Sequence, residues 1–98
     1  MGNIKIAYTA RGPIVGDFIP VTQDAETTGY NVHNPVNVAL QPNNVALVPL
    51  LGFAEETKVF LPLSEILFGG ELFTPVTELK NHYSSQYGSG LVVAQSLP

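Results

Sequence analysis

The chain has 98 residues, of which 45% are hydrophobic and only 12% charged, and its eight carboxylates against four cations give a net charge of −4. This composition excludes a disordered tail, and four scattered cations argue against coating of nucleic acid through its phosphates alone. The absence of cysteine excludes disulfides and thiol chemistry. We expect a single domain over residues 1–98, with more apolar surface than a monomer can bury and therefore with self-association.

Four apolar runs, each with a proline near its middle, dominate the first two thirds of the chain. Because proline donates no hydrogen bond to a ladder, it is confined to sheet edges, strand starts and bulges. The runs therefore predict short, bent strands that curl into a small five-stranded barrel over residues 14–69, with irregular edges that pair with another chain. The four prolines are Pro20, Pro35, Pro49 and Pro62.

In chain order, residues 1–12 are expected to form an N-terminal arm or strand. The barrel strands follow, and the second of them bends at Asn34-Pro35. The almost entirely apolar run 45–53 is typical of a strand buried on both faces or of one that contacts a neighbouring subunit. The predicted barrel strands cover residues 14–22, 27–40, 45–53 and, in two short pieces, 58–68.

Residues 74–88 predict one amphipathic helix. Thr74 offers an N-cap hydroxyl, Pro75 suits the first helical position, and an apolar stripe follows at Val76, Leu79, Tyr83 and Tyr87. Residues 89–98 are expected to form a tail that is a last short strand or an arm laid on a neighbour. No apolar run approaches the roughly 18 residues of a membrane span, so we expect no membrane partner.

The residues that carry chemistry form no catalytic motif. His33 and His82 have no cysteine or carboxylate at ligand spacing, and no serine lies in a nucleophile elbow. We therefore expect no enzyme, no metal site and no cofactor. The asparagines either supply left-handed turns or read the edges of bases, and both interpretations stay open. They are Asn31, Asn34, Asn37, Asn43 and Asn44.

Several short motifs are spread over residues 14–93. They are Gly16-Asp17-Phe18-Ile19, Tyr30-x-Val32-x-Asn34-Pro35-Val36, Leu50-Leu51-Gly52-Phe53-Ala54, Leu63-Ser64-Glu65-Ile66-Leu67, and Leu79-x-x-x-Tyr83 followed by Gly88-Ser89-Gly90. The pattern resembles an uncharacterised family carried by T4-like phages of marine cyanobacteria and abundant in ocean metagenomes. That family resembles Sm/LSm proteins in fold. The resemblance implies a strongly bent five-stranded barrel whose subunits join edge to edge into a ring of about five to seven copies, in the cytoplasm of an infected bacterium or in the virion.

The same resemblance implies that the ring binds single-stranded RNA or DNA. Sm proteins use an Asp/Asn pair in one loop and an Arg-Gly pair in another, and here Pro62-Leu63 stands where Arg-Gly is expected. The first motif falls either on Asn34 to Asn37 or on Asn43-Asn44. A structural or adaptor ring with protein partners only is the alternative function. The candidate nucleic-acid-binding residues are Tyr30, His33, Asn34, Asn37, Asn43, Asn44 and Lys58.

Overall fold

The computed structural model describes residues 4–42 and 45–87, which form one antiparallel sheet and one α-helix. The mainly β class with a helix near the C-terminus is therefore confirmed. Two 3-10 turns, at Leu63–Glu65 and Phe68–Gly70, connect the last strand to the helix. The strands are β1 (Ile4–Thr9), β2 (Gly12–Gln23), β3 (Glu26–Leu40), β4 (Val45–Pro49) and β5 (Lys58–Pro62), and the helix is α1 (Thr77–Tyr87).

Strand β3 lies at the centre of the sheet. It pairs with β2 along one edge, whereas its other edge is shared by β5, which pairs with residues 29–33, and β4, which pairs with residues 36–40. At the far side of the sheet, the outer edge of β1 forms two isolated bridges with other described residues, from Ile6 to Phe73 and from Thr9 to Ile66. The sheet is not closed, so the barrel expected from the sequence is not confirmed.

A β-bulge interrupts β3 at the predicted bend. Val15 of β2 pairs with Val36, but Asp17 pairs with His33, so two residues of β3, Asn34 and Pro35, lie opposite Gly16. Asn34 has φ +52°, a left-handed conformation that asparagine tolerates better than most residues. Proline suits this position because a bulge leaves its residues partly outside the ladder.

The bulge lets the two faces of the sheet bury two separate apolar clusters. In a regular strand, residues four apart point to the same side, yet Val32 and Val36 belong to different clusters because the bulge adds one residue between them. The cluster on the helix side contains Ile6, Val15, Val36, Leu47 and Tyr83. The cluster on the opposite side contains Ala7, Ile14, Phe18, Val32 and Ile66.

Several predicted strand boundaries were wrong. The predicted strands 14–22 and 27–40 agree with β2 and β3 to within two residues at each end. At 12 and 15 residues these strands are not short as expected, because a bulge absorbs Pro35 and Pro20 lies in the part of β2 that extends beyond β1. The expected strand 45–53 ends at Pro49, and its remaining residues form a loop. Only the first of the two pieces expected in 58–68 is a strand, since left-handed Phe68, at φ +60°, and the 3-10 turns replace the second.

The helix begins two residues later than Pro75. The carbonyl oxygen of Val76 accepts the first helical hydrogen bond, from the Lys80 amide at 2.9 Å, and the Thr74 hydroxyl instead accepts from the Lys5 ammonium at 3.2 Å. Gly88 and the predicted tail lie outside the described residues. Within residues 4–42 and 45–87, no helix has both the length and the apolar character needed to cross a bilayer.

Gly16 is expected to be required for the bulge. A Cβ atom at this position would lie 2.6 Å from Cγ1 of Val32 and 3.1 Å from the carbonyl oxygen of His33, so Gly16→Ala should lower the free energy of unfolding by about 1–3 kcal/mol, the usual cost of overpacking. Gly52→Ala is the matched control because its nearest neighbour, the Pro49 carbonyl oxygen, is 3.6 Å away. Urea unfolding measures both variants, and equal stabilities would contradict this account of the bulge.

Candidate nucleic-acid interface

In the described part of the chain, the helix packs on the part of the sheet around Val15 and Val36. Tyr83 and Leu79 pack with the cluster that contains Val15 of β2 and Val36 of β3. Further along β2, Asp17 and Ile19 point to the same side as Val15, because alternate residues of a strand share a face. Ile19 is 44% exposed and Phe60 46%, whereas Asp17, Asn31 and His33 are partly buried, so this part of the sheet is partly accessible to solvent.

Strand register brings six side chains together on this half of the sheet, which we call the open face. Each row crosses β2, β3 and β5, and directly opposed residues on one face have Cβ atoms about 4.5–5.5 Å apart. The opposite face is occupied by the cluster around Phe18 and Val32. One row of the open face consists of Ile19, Asn31 and Phe60, and the next consists of Asp17, His33 and Lys58.

Phe60 is an exposed aromatic ring held against the sheet. A Cβ atom at buried Gly29 would lie 2.6 Å from Cζ and 2.8 Å from Cε1 of Phe60, so the missing side chain of Gly29 makes room for the ring. The Phe60 side chain nevertheless remains 46% exposed. The ring is therefore available to a ligand while its position is restricted by the backbone beneath it.

The open face combines the groups that contact unpaired nucleotides. An aromatic ring on a sheet surface stacks with a base, the Asn31 amide both donates and accepts hydrogen bonds at a base edge, and His33 has two ring nitrogens for the same purpose. Lys58 supplies one positive charge and Asp17 one negative charge. Formal charge on this face is thus balanced, so the face has no excess of positive charge to attract phosphates.

Two of the residues predicted from the sequence lie on the open face. His33 of β3 and Lys58 of β5 are direct register partners. Tyr30 points to the other side of the sheet, where its ring centroid is 5.8 Å from that of Phe18 in an edge-to-face contact. Tyr30 therefore belongs to the packing around Phe18, because an odd separation in a regular strand places it opposite His33.

The predicted asparagines have other positions. Asn34 lies in the bulge and is bonded through its backbone. Its backbone amide donates to the Thr57 carbonyl oxygen at 2.6 Å, and its backbone carbonyl oxygen accepts from the Tyr83 hydroxyl at 2.9 Å. Asn37 lies beyond the bulge, where its side-chain amide donates to the Pro13 carbonyl oxygen at 3.3 Å. Asn43 and Asn44 lie outside the described residues. The structure therefore does not bring the predicted set together as one site.

Four residues of the open face were not in the predicted set: Asp17, Ile19, Asn31 and Phe60. Strand alternation was a usable signal for two of them. Asn31 is two residues from His33, and Phe60 is two residues from Lys58, so each shares the face of a predicted residue. Asp17 and Ile19 are identified only by the pairing of β2 with β3. Ile19 in particular would ordinarily be assigned to the core, as apolar residues in a strand pattern are.

Neither a known family nor a metal centre accounts for these residues. Among the described residues, no three His, Cys, Asp or Glu side chains form a group that could hold a metal ion. Comparison of the chain with protein-family models finds no match. A search of curated proteins also finds no match. The geometry of the open face is therefore the main basis for a functional proposal.

We expect Asn34 to act through its backbone conformation. Asn34→Ala should lower the free energy of unfolding by about 1 kcal/mol, since a Cβ atom without a compensating polar group is unfavourable at positive φ. Asn34→Gly should retain wild-type stability, because glycine adopts this conformation freely. Chemical denaturation and titration with oligo(U) RNA test both variants. Loss of RNA binding in a stable Asn34→Gly protein would instead support a direct recognition role for this side chain.

Proposed function

We propose that the protein binds single-stranded nucleic acid, RNA or DNA, on the open face. The observation that carries this proposal is the exposed Phe60 ring, which lies beside Asn31 and next to the row that contains His33 and Lys58. Aromatic and hydrogen-bonding side chains on an exposed sheet are a recurrent means of recognising unpaired bases. We propose a binding function without catalysis, and among the described residues no three His, Cys, Asp or Glu side chains form a group that could hold a metal ion.

Stacking is expected to supply more of the affinity than charge. Each base stacked on an aromatic side chain contributes about 1–3 kcal/mol, whereas Lys58 is the one cation among the six side chains of the open face. Binding by one copy would be weak. Linking several copies raises the overall affinity through a high effective concentration, so self-association forms part of the proposal.

We propose that the copies associate in a ring. In the described residues, β4 and β5 pair with β3 alone, which leaves their outer edges available to a strand of another copy. The bulge in β3, a feature that bends strands, and the bridges from β1 to residues 66 and 73 support the proposal of a bent, Sm-like barrel. A ring of about five to seven copies and an origin in a phage-infected bacterial cytoplasm or a virion rest on the motif resemblance.

Substitution of the exposed aromatic ring tests the binding proposal. Phe60→Ala should weaken binding of oligo(U) and oligo(A) RNA by about 5- to 100-fold, the equivalent of one lost stacking contact. Phe68→Ala is the matched control, because Phe68 is also exposed but packs edge-to-face with Tyr8 and Phe73 at another surface. Fluorescence anisotropy measures both. Equal affinities of the two variants, with circular dichroism spectra like the wild type, would contradict the proposal.

The salt dependence of the same titration tests the role of Lys58. A single phosphate contact on a single strand gives a slope of log K against log salt concentration of about −0.7. We expect a shallow slope for each bound copy and a slope closer to zero by about 0.7 for Lys58→Gln. A steep slope that is unaffected by this substitution would place the electrostatic contact elsewhere.

A structural or adaptor protein is the second candidate function. It is favoured by the net charge of −4 and by Phe53, a large apolar side chain that is completely exposed in a surface loop. Such a residue is typical of a contact with another protein. Failure of the folded protein to bind any oligonucleotide at low salt, where electrostatic attraction is strongest, would make the adaptor function the better proposal.

A further inference from the structure

The backbone of β3 is held from two directions at the bulge. On the β5 side, the Asn34 amide donates to the Thr57 carbonyl oxygen at 2.6 Å. On the helix side, the Tyr83 hydroxyl donates to the carbonyl oxygens of Asn34 and His33, at 2.9 and 3.2 Å. A hydroxyl has a single hydrogen, so the two carbonyl oxygens share it. Tyr83 therefore bonds the peptide groups on both sides of Asn34.

Regular strand pairing restrains this part of β3 less than it restrains the rest of the strand. Strand β2 pairs with His33 and next with Val36, so Asn34 and Pro35 lie between two consecutive register pairs. Toward β5, His33 and Lys58 form a non-hydrogen-bonded pair, because the Asn34 amide bonds to the residue before Lys58 and bonded pairs alternate in an antiparallel ladder. The Tyr83 hydroxyl thus adds a restraint at the point where the ladder is interrupted.

We infer that Tyr83 is a positioning residue for His33 in the binding of nucleic acid. The inference rests on the proposed function and gives α1 a part in it. Tyr83 is 1% exposed, so it acts from within the core and not by touching the ligand. Because the peptide group is planar, a hydrogen bond to the His33 carbonyl oxygen restricts the ψ angle of His33. That restriction fixes the direction in which the His33 side chain leaves the open face.

The ring and the hydroxyl of Tyr83 have separable roles. The ring packs in the helix-side cluster with Val15 and Val36, and a phenylalanine would retain this packing. The hydroxyl bonds to the bulge, where Asn34 has φ +52°. A left-handed conformation of this kind persists when the surrounding structure holds it. Loss of the hydroxyl alone should therefore loosen the backbone beside His33 and leave the helix in place.

Tyr83→Phe tests this role of the hydroxyl. We expect its affinity for oligo(U) RNA to fall by about 2- to 10-fold in fluorescence anisotropy, the range that corresponds to one hydrogen bond. Tyr30→Phe is the matched control and should bind like the wild type. It removes a hydroxyl from a ring on the opposite face of the sheet, where Tyr30 packs edge-to-face with Phe18. Wild-type affinity of a folded Tyr83→Phe protein would overturn the inference.

Double-mutant cycles distinguish positioning of His33 from a general effect on the fold. If Tyr83 acts through His33, Tyr83→Phe should change the affinity little in a His33→Ala background, so the two losses are not additive. Phe60 lies in the other row of the open face, and the losses caused by Tyr83→Phe and Phe60→Ala should add. Equal coupling of Tyr83 to His33 and to Phe60 would overturn the inference and leave Tyr83 a structural role only.

A measurement on the wild type applies even if Tyr83→Phe does not fold. Coupling between two sites is reciprocal, so RNA that contacts His33 should also shift the NMR signals of the buried Tyr83 ring. We expect this shift to be smaller than that of the His33 ring and to follow the same dependence on RNA concentration. Unchanged Tyr83 signals, in a titration that shifts those of His33, would contradict the coupling.

The outcomes separate this inference from the proposed function. If Phe60→Ala weakens RNA binding while Tyr83→Phe does not, the open face stands as the binding site and the role of Tyr83 is overturned. If the folded wild type binds no oligonucleotide at low salt, the nucleic-acid proposal fails and the positioning role fails with it. Weaker binding by both variants, with coupling of Tyr83 to His33 alone, supports both proposals.

Discussion

The close approach of β3 to Gly16 is the constraint on which the rest of the structure depends. Two residues of β3, Asn34 and Pro35, lie opposite this single glycine, and there is no space at the glycine for a side chain. The extra residue reverses the alternation of β3 relative to β2. As a result Asn31 and His33, which precede the bulge, lie on the same face as Val36 and Val38, which follow it. The helix side of the sheet is therefore core around Val36 and the open face around Asn31 and His33.

The bulge also organises the elements around it. The buried Tyr83 of α1 directs its hydroxyl to the carbonyl oxygens of Asn34 and His33, at 2.9 and 3.2 Å, so the helix is attached to the backbone that the bulge exposes. On the edge of β3 away from β2, the partner strand changes from β5 to β4 at the bulge, and the loop of residues 51–56 connects β4 to β5 there. The helix contact, the open face and the Phe53 loop thus share one structural cause.

Local chemistry predicted much of this arrangement from the sequence. Asn34 and Pro35 predicted the bend because each residue type has a particular backbone preference. The spacing of Leu79 and Tyr83 predicted the helix because residues four apart lie on the same face of an α-helix. By contrast, the run 45–53 has strand composition throughout, and nothing local indicates that pairing ends at Pro49 or that Phe53 is exposed. Those outcomes depend on how much of β3 remains available as a partner.

Only part of the candidate site was predicted, because residue type was weighted more than strand register. Tyr30 has suitable chemistry for stacking, but it faces Phe18, and the exposed ring is that of Phe60. Asn34 and Asn37 are engaged in the bulge and with Pro13. Asn31 shares a face with His33 by strand alternation, but only pairing between strands distant in sequence places Asp17 and Ile19 beside them. Such pairing is not a property of any single segment.

The central claim, that ligand binding is located on the half of the sheet left open by the helix, is tested most directly by NMR. Amide and side-chain shifts of the ¹⁵N- and ¹³C-labelled protein can be followed during titration with oligo(U) and oligo(A) RNA. The account predicts that the largest changes occur at Ile19, Asn31, His33, Lys58 and Phe60. It also predicts little change at Tyr30 and at Leu40 and Val76, which lie between α1 and the ends of β3 and β4. Changes centred on Leu40 and Val76 or on Phe53, or no changes at low salt, would contradict this claim.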